Sequence, residues 1–156
     1  MSRMVLSQEA HIVPILFPQG SGAATINSDV FSMRDASHAT IILTIGAVAG
    51  AASFTLAAGT DFTPAAETAI GYMQAAELTT GGDTLGALTA VASTGTTTAN
   101  TANITYVLEV DAEDLPEGYP NLYLKLADLD NTTYVSAVAI LTGLSYAGDQ
   151  NRTAIA

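Results

Sequence analysis

Asn103-Ile-Thr-Tyr-Val-Leu-Glu-Val-Asp111 decides the fold class. Ile104, Tyr106, Leu108 and Val110 fall on one side of an extended chain, and Asn103, Thr105, Glu109 and Asp111 fall on the other. This period-two alternation belongs to a strand with one buried face and one wet face. Only Val107 interrupts the polar side. Downstream, Leu122, Leu124 and Leu126 repeat the pattern opposite Tyr123 and Lys125, which are expected to face water. Between the two strands, Ala112 to Pro120 combines acidic residues with Pro116, Gly118 and Pro120, the composition of a connecting loop. Asp128-Leu-Asp-Asn131 reads as a turn into Thr133 to Leu144. That mostly apolar run is expected to be a central strand covered on both faces, with a bulge or bend near Gly143.

Upstream, Thr40 to Ile45 is rich in β-branched residues, and Ser53-Phe-Thr-Leu56 alternates polar with apolar. Two strands joined through Gly46 to Gly50 account for this. The competing reading is a membrane helix over residues 36-60, a stretch with no formal charge apart from His38 and with Gly46 and Gly50 at small-xxx-small spacing. The β-branched content speaks against it, as does a flank holding only Arg34 beside Asp35. Thr63-Pro64 could start a helix over Ala65 to Leu78, but Gly71 and Tyr72 favour a strand. Gly81-Gly82-Asp83 followed by Thr84 to Ala92 then reads as a hairpin turn and return strand. Ser93 to Ala102 is expected to be an exposed loop.

These signals predict an all-β chain: a single antiparallel β-sandwich or jelly-roll-like domain over residues 23-147. An extended N-terminal arm (1-22) is expected before it and a C-terminal tail (148-156) after it. The whole is 156 residues, the size of one domain with its own core. Pro14 and Pro18 keep the arm extended. Its apolar residues Val5, Leu6, Ile12, Ile15, Leu16 and Phe17 are the candidate contacts to neighbouring molecules. The patch Ile12 to Phe17, broken by Pro14, is too short for a signal peptide.

Fifteen acidic residues against four basic ones give a formal net charge of -11, and Arg3, Arg34, Lys125 and Arg152 are scattered. Phosphate neutralisation needs clustered bases, so no nucleic-acid partner is expected. The chain has no cysteine, which excludes disulfides, thiolate nucleophiles and cysteine-ligated metals. His11 and His38 are the two histidines, and Asp35-Ala-Ser-His38 brings acid, hydroxyl and imidazole together. So short a turn lacks the strand-to-helix geometry of a hydrolase nucleophile.

The acidic loops 111-117 and 128-131 lack the ligand spacing of a calcium loop. Trp is absent, so aromatic sugar platforms beside a carboxylate pair are poorly supplied. Gly20-Ser-Gly22 has no third glycine and no following helix, and no phosphate-binding loop motif occurs. Glycosylation sequons at Asn103, Asn131 and Asn151 would matter only in a secreted chain. The chain is therefore expected to be no enzyme and to need no metal or cofactor.

The order of features resembles that of small tailed-bacteriophage virion proteins. The residues that carry it are Ser28-Asp-Val-Phe-Ser-Met33 after a short arm, His38-Ala-Thr-Ile-Ile-Leu43, Glu113 to Tyr119, and Ala139-Ile-Leu-Thr-Gly143 with Tyr146 to Gln150. The likeness is greatest to capsid decoration, or cement, proteins. It implies a homotrimer or homodimer, assembled in the host cytoplasm, that binds the major capsid protein on the capsid exterior and bridges capsomers, with no membrane partner. A phage neck, tail or fibre-associated component is the alternative within the virion, and a small membrane protein using residues 36-60 the alternative outside it.

Overall fold

The strand anticipated over Asn103 to Asp111 forms at Ile104–Asp111 and lies inside the larger of two sheets. The computed structural model describes residues 5–22, 25–46, 50–63, 67–98, 103–129, 132–145 and 154–155. In chain order the elements are a single helical turn α1 (Leu6–Glu9), then β1 (His11–Gly20), β2 (Ile26–Asn27), β3 (Phe31–Ser32), β4 (His38–Ile45), β5 (Ser53–Gly59) and β6 (Glu67–Ile70). There follow β7 (Tyr72–Glu77), β8 (Thr89–Val91), β9 (Thr96–Thr97), β10 (Ile104–Asp111), a 3-10 turn (Ala112–Asp114), β11 (Asn121–Ala127) and β12 (Tyr134–Thr142). The larger sheet runs β1-β12-β4-β10-β7-β8. The smaller runs β2-β11-β5-β6, with β3 also paired to β11 and β9 to β5. Every strand pairing is antiparallel.

The two sheets close on one core as a β-sandwich. Ile41, Leu43, Leu108 and Leu141 come to it from the larger sheet, and Phe54, Leu56, Leu122 and Leu124 from the smaller. Phe54 spans the gap, its ring 4.9 Å from that of Tyr106 in an edge-on contact. β4 and β5 belong to different sheets and do not pair with each other as a hairpin. Among the described residues, no helix is long and apolar enough to cross a membrane.

Residues 11–20, expected to lie in the arm, form an edge strand of the body. β1 pairs with β12 from His11↔Leu141 to Gly20↔Tyr134, with register shifts between Pro14 and Leu16 and between Leu16 and Gln19. Proline cannot donate to a ladder and is tolerated at sheet edges and bulges, so Pro14 and Pro18 suit this strand as well as they would suit a free arm. The first bulge gives Ile15 no partner of its own and turns both Ile15 and Leu16 into the core. At the other end, Ala154 and Ile155 return to the body: Ser32 N–H donates to the Ala154 carbonyl at 2.7 Å, and Ile155 bridges Phe31. Residues 1–4 of the arm and 148–153 of the tail lie outside the described residues.

Two further expectations change. Tyr123 is buried against Val30 and Ala57 on the outer side of the smaller sheet, because the segment leading to β3 lies over it. Thr133 to Leu144 is covered on one face only: Val135, Ala137, Ala139 and Leu141 are buried, while Val138 and Ile140 are half-exposed on the other side. The strand stops at Thr142, and Gly143 follows at φ 63°.

The Ala65 to Leu78 region is strand where described, and Gly71 is its corner, passing the chain from β6 in one sheet to β7 in the other. A Cβ on Gly71 would stand 2.9 Å from the Val91 carbonyl oxygen, a backbone atom with little room to retreat. Gly71→Ala is therefore expected to destabilise the chain by about 1–3 kcal/mol, read as a lower urea midpoint at unchanged denaturant slope.

Candidate binding surface

Each strand of the larger sheet sends alternate residues outward, and the ladder register sorts these into rows. One row is apolar across five strands: Pro14 pairs with Val138, Val138 with Ile42, Ile42 with Val107, and Val107 with Ala75. A flanking row continues it through Ile12, Ile140, Thr40, Glu109 and Met73, and the other flank holds Ser136, Thr44, Thr105 and Glu77. Val107, the one interruption in the polar side of its strand, belongs to this stripe. The outer face of an antiparallel sandwich is ordinarily polar, which makes a five-strand apolar row the feature of this face that the fold alone does not require.

One end of the face carries a charged latch. His38 and Asp111 are cross-strand partners, as are Thr40 and Glu109. His38 Nδ1 lies 2.7 Å from Asp111 Oδ1, and Nε2 lies 2.7 Å from Glu109 Oε2. Thr40 Oγ1 donates to the same Glu109 oxygen at 2.6 Å. Only the imidazolium has N–H donors at both nitrogens. Burial by itself would lower the His38 pKa, but the hydrogen bonds and charges of Asp111 and Glu109 outweigh it and hold the value above the ordinary imidazole range.

A raised folded-state pKa contributes stability that is complete below the unfolded value of about 6.5 and is lost as pH rises through the folded value. The wild-type urea midpoint is accordingly expected to fall over that window. His38→Gln should remove that part of the pH dependence, as denaturation curves at a series of pH values would show.

The two carboxylates occupy opposite nitrogens of the ring and do not converge on one point. Among the described residues, no group of three or more His, Asp or Glu side chains is placed to hold a metal ion. Of the acidic loops, 111–117 is exposed beyond the latch at Glu113, Asp114 and Glu117. In the second loop Asp128 accepts a hydrogen bond from Ser53 Oγ at 3.1 Å, and Asp130 and Asn131 lie outside the described residues. Asp35, read beside Ser37 and His38, instead accepts from Ser145 Oγ at 3.3 Å.

At the opposite end of the face, a shallow hollow of ≈360 Å³ is lined by Pro18, Thr44, Thr105, Tyr134 and Ser136 with the Gly81-Gly82 turn. Thr44 and Ser136 hydroxyls meet on its floor at 3.0 Å. The Glu77 carboxylate accepts backbone N–H bonds from Thr79 at 2.6 Å and Thr84 at 2.8 Å, which fixes the start of the β7–β8 connection.

The six candidate contact residues divide. Ile15 and Leu16 are core, with 1% and 6% of their surface exposed. Phe17 is 67% exposed and Ile12 44%, both on the edge strand, and Ile12 borders the apolar row. Leu6 is exposed on the helical turn and Val5 half-buried before it. The arm reading missed Ile42, Val107, Val138 and Ile140. Val107 was the visible signal, and the others needed the register.

Fold and surface together define an antiparallel β-sandwich with a half-apolar sheet face. No family model matches the chain, and no curated protein matches it. Among solved structures it is similar to the SPBc2 prophage-derived protein YomS, with a TM-score of 0.48 and 11% identity over 90% of this chain and 98% of that one. It is also similar to the VP2 protein of infectious bursal disease virus, with a TM-score of 0.26 and 12% identity over 92% of this chain and 42% of that one. A subviral VP2 particle gives a TM-score of 0.27 at 13% identity, over 92% and 43%. Likenesses this remote carry no argument about role.

Proposed function

We propose that the chain is a non-enzymatic structural component of a phage virion, a decoration or cement protein that binds the outside of the head and bridges capsomers. The observation that carries this reading is the sandwich itself, the body that the resemblance to decoration proteins implies. Both sheets are committed to one core, and the outward surface left over offers contact rather than chemistry. A protein present in many identical copies gains avidity when each copy spans two shell subunits, so modest contacts add up to mechanical reinforcement. The strongly acidic surface keeps free copies apart until they meet the shell. Self-association as a trimer or dimer once on the shell would present several such faces at once.

Quantitative mass spectrometry of purified particles tests the reading. Copies of this chain comparable with copies of the main shell protein are expected. A handful per particle would assign the chain to the neck, tail or fibres, and absence would overturn a virion role.

A further inference from the structure

We propose that the outer face of the larger sheet docks onto a protein surface with an apolar centre bordered by lysine and arginine. The inference rests on the virion reading for the partner's identity, and on the face for its chemistry. The centre is the row Pro14, Val138, Ile42 and Val107, extended by Ile12 and Ile140, and it ends at Ala75, which is buried. The border is acidic on one side. Glu109 and Asp111 lead out of β10 into Glu113, Asp114 and Glu117, with Glu113, Asp114 and Glu117 exposed. Asp114 stands beside Met73 at the β7 end of the face, and Glu117 shares a hollow with Arg34. Five carboxylates thus face two cations, His38 and Arg34, and the excess is negative even with His38 protonated. A complementary surface supplies bases opposite this border.

A second copy of the chain is the poorer occupant. It would set like borders and two bodies of formal charge -11 against each other. Five strands about 4.8 Å apart and three rows about 6.8 Å apart give a face on the order of 400–500 Å². A stable pairwise complex buries about 800 Å² on each partner. One face alone therefore holds weakly, and firm attachment needs repeated copies of the partner in an array.

The test is co-sedimentation with purified heads stripped of this protein, at low and at physiological salt. Val107→Lys is expected to weaken binding at least tenfold. The triple change Glu113→Gln, Asp114→Asn and Glu117→Gln should weaken it several-fold and flatten its salt dependence. Thr68→Lys, on the exposed edge strand of the smaller sheet, should bind as wild type does. If Val107→Lys lowers the melting temperature, the triple variant, confined to exposed loop side chains, reads the same face. Wild-type binding matched by both face variants overturns the docking face and leaves the virion reading standing. Failure of the wild type itself to bind heads overturns both.

Discussion

Phe54→Ala is expected to lower the free energy of unfolding by about 3–5 kcal/mol, the usual cost of deleting a buried aromatic ring. The ring is 1% exposed. Its neighbours come from the opposite sheet: Tyr106 at 4.9 Å with planes at 63°, and Tyr72 at 6.4 Å with planes at 25°. Such aromatic pairs add about 0.5–1.5 kcal/mol beyond the area they bury. Domains of this kind are stable by only about 5–15 kcal/mol, so the variant should unfold at a much lower urea concentration. A cost below about 1 kcal/mol would mean that β5 does not face β7 and β10 across the sandwich.

Ile15→Ala should cost about 2–5 kcal/mol in the isolated chain, whereas Phe17→Ala, two residues on, should change stability by no more than about 0.5 kcal/mol. The contrast separates a strand from an arm. A residue laid on a neighbouring molecule contributes nothing to the free protomer. Ile15, 1% exposed and turned inward by the bulge after Pro14, contributes a full side chain to the core. Equal and negligible effects at both positions would return residues 11–20 to the status of an arm. Chemical denaturation of the three proteins at one pH decides it.

The strands whose faces differ in environment were legible. Ile104 to Asp111 alternates because one face meets the core and the other meets water, and the register later brings Ile104 opposite Ile45 and Asp111 opposite His38. β1 was not legible as a strand, because its two bulges break the period and place Ile15, Leu16 and Phe17 in succession. Tyr123 defeats the alternation rule for a different reason: Val30, distant in sequence, covers the face that should be wet. In β12 the composition suggested burial on both faces, since an apolar residue reads the same in sequence whether it is covered or half-exposed, as Val138 and Ile140 are.

Site residues depended still more on register. His38 looked connected to Asp35 and Ser37, its neighbours in sequence, yet its partners Glu109 and Asp111 are 71 and 73 residues away. The apolar row is likewise invisible strand by strand. It exists only once Val138, Ile42 and Val107 are aligned across three strands.

A cryo-electron microscopy reconstruction of the particle is the decisive test of a decoration role. A two-sheet density of this size is expected to repeat over the head exterior, with the β1-β12-β4-β10-β7 face turned to the shell and Val107 at the contact. Density for the chain confined to the neck or tail, or no density for it on the particle, would contradict that role.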